Sequence, residues 1–561
     1  MGASKWDGKP LYDIPLGKTT EGIDDGRPVV TVSDFSVCTP AECLSEQPET
    51  NRWRLIDFAT DQFEGKMLHA PHDKPAPEVT IPLNVKGWYA VYVWLMGGDV
   101  TPLQGELSYY CRYSRSKGPG LKLTKDKCFS GMFQTMVHSH MAQPGLEACF
   151  WRYEDMTDQS ITIRHHGGTV YIGAIELIPL SLAEVEAIEK DRADTSNKRL
   201  MLKGDEYFDM SWIEDHYEHL RHTDLFAWIT GCERHAELMR PEGSVSMMNS
   251  KRGCEELGLE WYVCDRPSLW TWMYDNWHDA RIEFFDEHPE YRCQERDGTP
   301  TNQLSYAIPE VREFMLNRAR AVAKHEPDGF GYFLNRDPGM LLFEPAAIEG
   351  FEEKYGVDPR TLDDLDNRLL DWRAEIITSY MHKVRQALDK VSKERGSKRI
   401  KGVQVVLGSE AANRRWSYDV KRWVKEGLID VLVVMQWADH PEWRLAQGHV
   451  KPDLKYFKSI TEGTDIPVIS MWFTWGPETN VRPNEYFTRA IEEYANGADG
   501  LSGWDHVGLE TMFSANRWLR LGHKEKLSEW AEADDFPLPP YLRITRQNGK
   551  TVGRFQIGAG G

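Results

Sequence analysis

Residues 402–435, GVQVVLGSEAANRRWSYDVKRWVKEGLIDVLVVM, contain the unit on which this chain is built. An apolar run, GVQVVLG (402–408), passes through a polar turn into a helical segment, YDVKRWVKEG. A second apolar run, IDVLVVM (429–435), follows. Strands that are apolar almost throughout, alternating with amphipathic helices, belong to a parallel sheet covered on its faces.

The same rhythm extends in both directions. Before it stand RLMLKGD (199–205), LFAWITG (225–231), LEWYVCD (259–265) and GFGYFLN (329–335). After it come IPVISMW (466–472) and DGLSGWD (499–505). Helical stretches such as VREFMLNRARAVAKH, LLDWRAEIITSYMHKVRQALDKV and NEYFTRAIEEYANG separate them. Eight strand–helix repeats in about 340 residues, without a nucleotide-binding glycine signature, predict a closed (β/α)8 TIM barrel rather than an open doubly wound sheet.

Upstream the pattern differs. Residues 1–27 are polar and rich in Gly and Pro, and read as an irregular arm. From 28 to 180 short segments with period-two alternation follow one another: PVVTVSDF, EVTIPL, GWYAVYVWLM, GELSYYCRY, QSITIRHH and TVYIGAIELIPL. They predict an antiparallel β-sandwich. Residues 181–198 read as a charged helical linker, 199–536 as the barrel, and 537–561 as a tail with a β-hairpin at Asn548-Gly549. The fold class expected is thus multidomain, a β-sandwich followed by a TIM barrel.

Composition narrows the function. The formal net charge is −20, from 67 Lys+Arg against 87 Asp+Glu. Such a field repels phosphate backbones and anionic membrane surfaces, so neither nucleic acid nor membrane is expected as partner. No apolar run approaches the roughly 20 residues that cross a bilayer. The opening MGASKWDGKPLYDIP has no apolar signal region; as written the chain reads as cytoplasmic, and as secreted or periplasmic if a signal has been removed. Nine cysteines without CxxC spacing read as reduced, mostly buried thiols. The chain has 21 Trp, 22 Tyr and 21 Phe. Flat rings suit the apolar faces of sugars, although most will fill cores. No metal or cofactor motif occurs, and none is expected.

In a parallel barrel chemistry gathers at the C-terminal ends of the strands. That rule selects Asp205 on the first strand, Glu233 on the second, Asp265 and Arg266 on the third, and Asn335, Arg336, Asp337 and Glu344 on the fourth. It adds Glu410 on the fifth, Asp439 and His440 on the sixth, Trp472, Trp475 and Glu478 on the seventh, and Trp504, Asp505 and His506 on the eighth. Hydrolysis of a glycosidic bond needs two carboxyl groups, one to protonate the leaving oxygen and one to attack or to activate water. Acids interleaved with Trp on one rim match that need. Asp337, Glu344, Glu410 and Asp505 are the candidate catalytic acids. Asp205, Asp265, Asn335, Arg336, Asp439, His440, Trp472, Trp475 and Trp504 are the candidate substrate contacts. Structural roles compete: Asp337 precedes Pro338-Gly339 and suits a turn, Arg336 suits a salt bridge, and Glu410 and Asp505 suit helix caps.

The blocks HPEYR, DGTP, LSYAIPEVREF, DGFGYFLNR and FEEKYGVDPR, with WVKEGLIDVL and GADGLSGWD further on, resemble the glycosyl-hydrolase-like family-ten barrels and their bacterial relatives. The resemblance covers most of 199–520. It implies a (β/α)8 fold and action on glycosidic bonds, and the N-terminal region loosely resembles accessory carbohydrate-binding modules. The pattern carries an acid five residues after the Asp of its DG. Here that Asp is Asp328 and the position is Phe333, while Arg336 matches the arginine that follows. The reading is a glycoside hydrolase of oligo- or polysaccharide. The alternatives are a barrel that binds glycans without cleaving them and, less favoured, a sugar lyase or isomerase.

Overall fold

The computed structural model describes residues 26–71, 75–96, 119–126, 129, 145–165, 170–193, 200–205, 225–229, 239–257, 259–268, 283–334, 339–435, 451–473, 486–504, 521–532 and 541–551.

The N-terminal strands are β1 (Val30–Val32), β2 (Leu44–Ser45), β3 (Trp53–Thr60), β4 (Glu64–Ala70), β5 (Val79–Ile81), β6 (Trp88–Met96), β7 (Gly120–Leu123), β8 (Gly145–Asp155), β9 (Ile161–Arg164) and β10 (Val170–Pro179). A three-stranded sheet runs β5-β9-β7, and the others join a nine-stranded sheet. Along β6, Tyr89, Val91, Val93 and Leu95 pack in one core with Val79, Ile81, Leu121, Leu123, Ile161 and Ile163 of the small sheet. The alternate residues Ala90, Tyr92, Trp94 and Met96 pack in a second core on the opposite face. A strand with no polar side, WYAVYVWLM, is what burial on both faces requires.

The C-terminal hairpin completes this sheet. Strand β21 (Tyr541–Gln547) pairs with β8 at Tyr541–Arg543 and with β3 at Ile544–Gln547, so the pairings β3-β4-β10-β6-β8-β21 return to β3. Leu542 and Ile544 enter the second core. The expected turn is present: β21 meets β22 (Lys550–Thr551) through Asn548 and Gly549, both at positive φ (50° and 71°). The segment taken from sequence as a tail is therefore an integral strand, because its alternating apolar residues fill an open position in the first sheet.

After helix Leu182–Ala193 come β11 (Leu200–Asp205), β12 (Leu225–Ile229), β13 (Glu260–Asp265), β16 (Gly329–Phe333), β17 (Lys401–Val406), β18 (Val431–Met435), β19 (Val468–Phe473) and β20 (Gly500–Trp504); a small hairpin, β14 (Arg292–Gln294) and β15 (Pro300–Leu304), lies between β13 and β16. The eight long strands pair in parallel in chain order, and β20 pairs with β11 to close the sheet. Described helices follow β12, β13, β16, β17, β18 and β19. The strand interior is packed by Tyr262, Cys264, Phe333, Val403, Val405, Val433, Met435, Ile469 and Met471. Gly331 stands where a Cβ would fall 1.3 Å from the Val403 carbonyl oxygen, so only glycine fits that closely packed pair of strands.

One device recurs at the N-terminal ends. The carboxylates of Asp328, Asp430 and Asp499 accept the backbone N–H of Trp261, Gly402 and Val468 on the preceding strands, at 2.8, 2.6 and 2.9 Å. The same three aspartates donate their own N–H to the carbonyls of those residues. Asp328, the first residue of the DGFGYFLNR block, is thus a strand clasp at the end of the barrel opposite the candidate site.

Candidate functional site

At the end of β13 the chain is held from two sides. The Asp265 carboxylate takes Arg318 Nε at 2.8 Å and Nη2 at 3.1 Å, and also the backbone N–H of Arg266 at 2.9 Å. Arg318 comes from helix Pro309–Ala323, and both side chains of the pair are almost fully buried. The Tyr306 hydroxyl donates to the Pro267 carbonyl at 2.9 Å. Tyr332 and Tyr380 share a 2.5 Å hydroxyl contact nearby, and burial pushes both phenols upward. The expected substrate contact at Asp265 is therefore corrected. Trp261, Val263 and Asp265 project toward the helices, because side chains alternate along a strand, and the Asp265 carboxylate is bound to Arg318 there.

The next residue projects the other way. The Arg266 guanidinium is 3 % exposed and stands 5.8 Å from the centroid of Phe333, the last residue of β16. Phe333, Leu407 and Met435 form an apolar floor at the C-terminal end of the barrel interior. Arg266 was not among the residues selected from sequence as substrate contacts. The one available signal was its place directly after the strand.

On the fourth strand Asn335, Arg336 and Asp337 lie outside the described residues. Glu344 is described and deeply buried. It accepts the backbone N–H of Leu342 at 3.1 Å and of Gln294 at 3.4 Å, the Ser305 hydroxyl, and a contact from the Cys293 thiol. Arg373 adds Coulomb attraction; burial brings that guanidinium down to about 10, against the pull of Glu344. Glu344 thus braces the β14–β15 hairpin against the loop that enters helix Pro345–Tyr355.

The loop after β17 is built around Asn413. Its amide donates to the carbonyls of Leu407 (2.9 Å) and Ser409 (2.8 Å) and accepts the N–H of Leu407 (3.1 Å). Ser409 caps helix Glu410–Arg415 through Ala412 N. Glu410 opens that helix, exposed, and hydrogen-bonds the Tyr456 hydroxyl, whose pKa rises through burial and then through Glu410. At the helix end Trp416 is half-buried, packs against the barrel interior, and lies 3.6 Å from the position a Gly339 side chain would occupy on the fourth-strand loop. Sequence reasoning passed over Trp416 because it sits a full helix beyond its strand.

On β19 the expected ring at Trp472 is not presented to a cleft. Trp472 is fully buried between strand and helix; its indole N–H donates to Glu493 at 2.6 Å and Arg489 lies 4.6 Å above the ring. The reason is again alternation: Ile469 and Met471 point inward, so Trp472 points outward. Asp205 and Trp504 are the last residues of β11 and β20. Glu233, Asp439, His440, Trp475, Glu478, Asp505 and His506 lie outside the described residues. Among the described residues no three His, Cys, Asp or Glu side chains converge on a metal position.

No protein-family model and no curated protein matches the sequence. Among solved structures the chain overlaps the PgaB (BpsB) glycoside hydrolase domain from Bordetella bronchiseptica at 10% identity and a TM-score of 0.39, over 57% of this chain and 97% of that one. Alpha-L-fucosidase isoenzyme 2 from Paenibacillus thiaminolyticus overlaps at 12% identity and 0.39, over 60% of this chain and 50% of that one. TtGalA, an alpha-galactosidase from Thermus thermophilus, overlaps at 13% and 0.32, over 89% and 98%.

Proposed function

We propose that this chain is a glycoside hydrolase, with a complete (β/α)8 barrel over 199–536 and a carbohydrate-binding β-sandwich module over 28–180, joined by the linker at 181–198. The observation that supports this most is the closed ring of eight parallel strands. A ring of this kind gathers the C-terminal ends of its strands on one rim, here around an apolar floor of Phe333, Leu407 and Met435.

Asp337 is the proposed strand-four carboxylate and Glu410, then Asp505, its partner, with Glu344 in reserve. One protonates the leaving oxygen while the other acts as nucleophile or base. Arg336 would hold a neighbouring carboxylate ionised by Coulomb attraction. Asp205, Asn335, Asp439, His440, Trp475 and Trp504 are proposed to line the substrate path. Trp416, half-exposed beside the Gly339 loop, takes the stacking role first assigned to Trp472. A second reading, glycan binding without cleavage, draws support from Phe333, a buried phenyl ring that cannot ionise.

A panel of plant and algal glycans with product analysis tests these readings. Release of reducing ends supports hydrolysis, binding without turnover supports the second reading, and an unsaturated ultraviolet-absorbing product would indicate a lyase. On a cleaved substrate, Asp337→Asn, Glu410→Gln and Asp505→Asn are expected to lower turnover by orders of magnitude for the true pair. Near-full activity in all three and in Glu344→Gln would overturn the assignment. A carboxyl separation of about 5–5.5 Å would give retention and about 6.5–9.5 Å inversion.

A further inference from the structure

We infer that Asn413 is a positioning residue: it fixes the proposed acid Glu410 and the ring of Trp416 relative to the end of β17, so that the two act on one bound glycan. The inference rests on the glycoside hydrolase reading above. Asn413 is 2 % exposed and lies in helix Glu410–Arg415, but its side chain turns back to the strand. The amide nitrogen donates to the carbonyls of Leu407 and Ser409 at 2.9 and 2.8 Å, and Oδ1 accepts the N–H of Leu407 at 3.1 Å. Leu407 is buried and is the first residue past β17, whose pairing with β18 ends at Val406. Asn413 therefore satisfies buried backbone groups beyond the end of that strand pairing.

The main chain of Asn413 ties down the other end of the helix. Its carbonyl accepts the N–H of Trp416 at 3.2 Å and of Tyr418 at 2.9 Å, while Ser417, at φ 63°, donates to the Arg414 carbonyl at 2.9 Å. This is a Schellman closure with Trp416 as the cap residue. Glu410 stands three residues before Asn413 and Trp416 three residues after it, so both hang from this one residue. Ala412 and Trp416 pack against the residues of the barrel interior, which sets the unit at the mouth. A helix of six residues does not hold its shape unaided, so the directions of Glu410 and Trp416 depend on the clamp. Asn413→Ala leaves the Leu407 N–H and carbonyl without their side-chain partner. Asn413→Asp keeps the size but sets a carboxylate against two carbonyl oxygens.

The experiment is a double-mutant cycle on the full chain. The probes are reducing-end-labelled hexasaccharides of glucose, mannose, xylose and galactose units, in α and β linkage, and kcat and KM are measured on the one the wild type cleaves best. Asn413→Ala is expected to lower kcat about 100-fold, the cost of a misplacement of about 1 Å. In a Glu410→Gln background the same change should lower kcat by less than about threefold, because Asn413 acts through Glu410. KM should rise in Asn413→Ala, and should rise no further when Trp416→Ala is added. Asn413→Asp should behave in the same way and is the second variant. Thr378→Ala, which removes the acceptor of the Trp423 indole N–H at 2.8 Å in the helix layer, is the structural control: it should lower the melting temperature and leave kcat unchanged. Three outcomes overturn the inference while leaving the hydrolase reading intact: equal losses from Asn413→Ala in the wild-type and Glu410→Gln backgrounds, wild-type kcat in folded Asn413→Ala and Asn413→Asp, or failure of both variants to fold by circular dichroism and thermal melting. Near-full turnover in Glu410→Gln overturns both this inference and the assignment of Glu410, and cleavage of none of the probes overturns the hydrolase reading with it.

Discussion

Asp265 and Arg318 face each other across the boundary between β13 and helix Pro309–Ala323, with N···O contacts of 2.8 and 3.1 Å and side chains only 1–2% exposed. The pair does more than join strand to helix. Asp265 also holds the N–H of Arg266, so the orientation of the residue at the barrel mouth depends on an ion pair behind the strand.

Removing one partner alone leaves a buried charge uncompensated. Arg318→Met is expected to destabilise the protein by about 3–5 kcal/mol. Combining it with Asp265→Leu should recover much of that loss, because an apolar pair of similar volume avoids the desolvation cost. Denaturant unfolding of the single and double variants checks this; equal stability of Arg318→Met and wild type would contradict it.

The strand Tyr541–Gln547 sets a second expectation. Ending the chain before residue 541 exposes the edges of β3 and β8 and removes Leu542 and Ile544 from a core in which each is 1% exposed. The N-terminal sheet should then lose its cooperative unfolding and become sensitive to proteolysis. Leu542→Ala in the full chain should cost about 2–5 kcal/mol. A truncated chain that resists limited proteolysis as well as the full one would show that β21 is dispensable.

Trp416 gives a test of the mouth that is independent of the catalytic acids. Trp416→Ala should weaken binding of a glycan found in the panel about tenfold, or about 1.4 kcal/mol, with little change in melting temperature, since the ring is only half-buried. Trp472→Ala should do the reverse, lowering stability by about 3–5 kcal/mol through loss of a fully buried ring. Titration and melting curves on the two variants separate the roles.

The N-terminal sheet carries a pH-dependent contribution. Burial alone would push the Glu154 carboxyl up, but Arg152 at 2.8 Å and Lys125 outweigh it and hold the group below its ordinary range. A carboxyl whose folded pKa is depressed contributes stability that is fully present above its unfolded value, about 4.3, and that is lost as pH falls through the folded value. Glu154→Gln should therefore flatten the acid side of the stability profile below about pH 4.3. An unchanged acid slope would remove this group from the account.

What could be read from sequence alone, and what could not, follows from the range of the interactions involved. Six of the eight long strands lie wholly within the runs chosen by hydrophobic pattern, β17 and β19 overrun theirs by one residue each, at Lys401 and Phe473, and the turn at Asn548-Gly549 is where its residues place it. These features depend on local preferences and on periodicity, which a sequence displays directly. The hairpin at Arg292–Leu304, with Gly298 at φ 87°, carried the same kind of Asp-Gly signal and was passed over. The chain also determines its charge, its supply of strand-end acids and its aromatic content.

The tertiary structure decided which of those residues face the mouth. Asp265 and Arg266 are neighbours in sequence, yet one is spent on Arg318 and the other lies over Phe333, because adjacent side chains of a strand point to opposite faces. Trp472 matched the expected type and place, and a one-residue alternation put it behind the sheet against Glu493. Tyr541–Gln547 looked like a tail because its partners, β3 and β8, lie hundreds of residues earlier. Pairing across such separations leaves no local trace, and only the folded chain determines it.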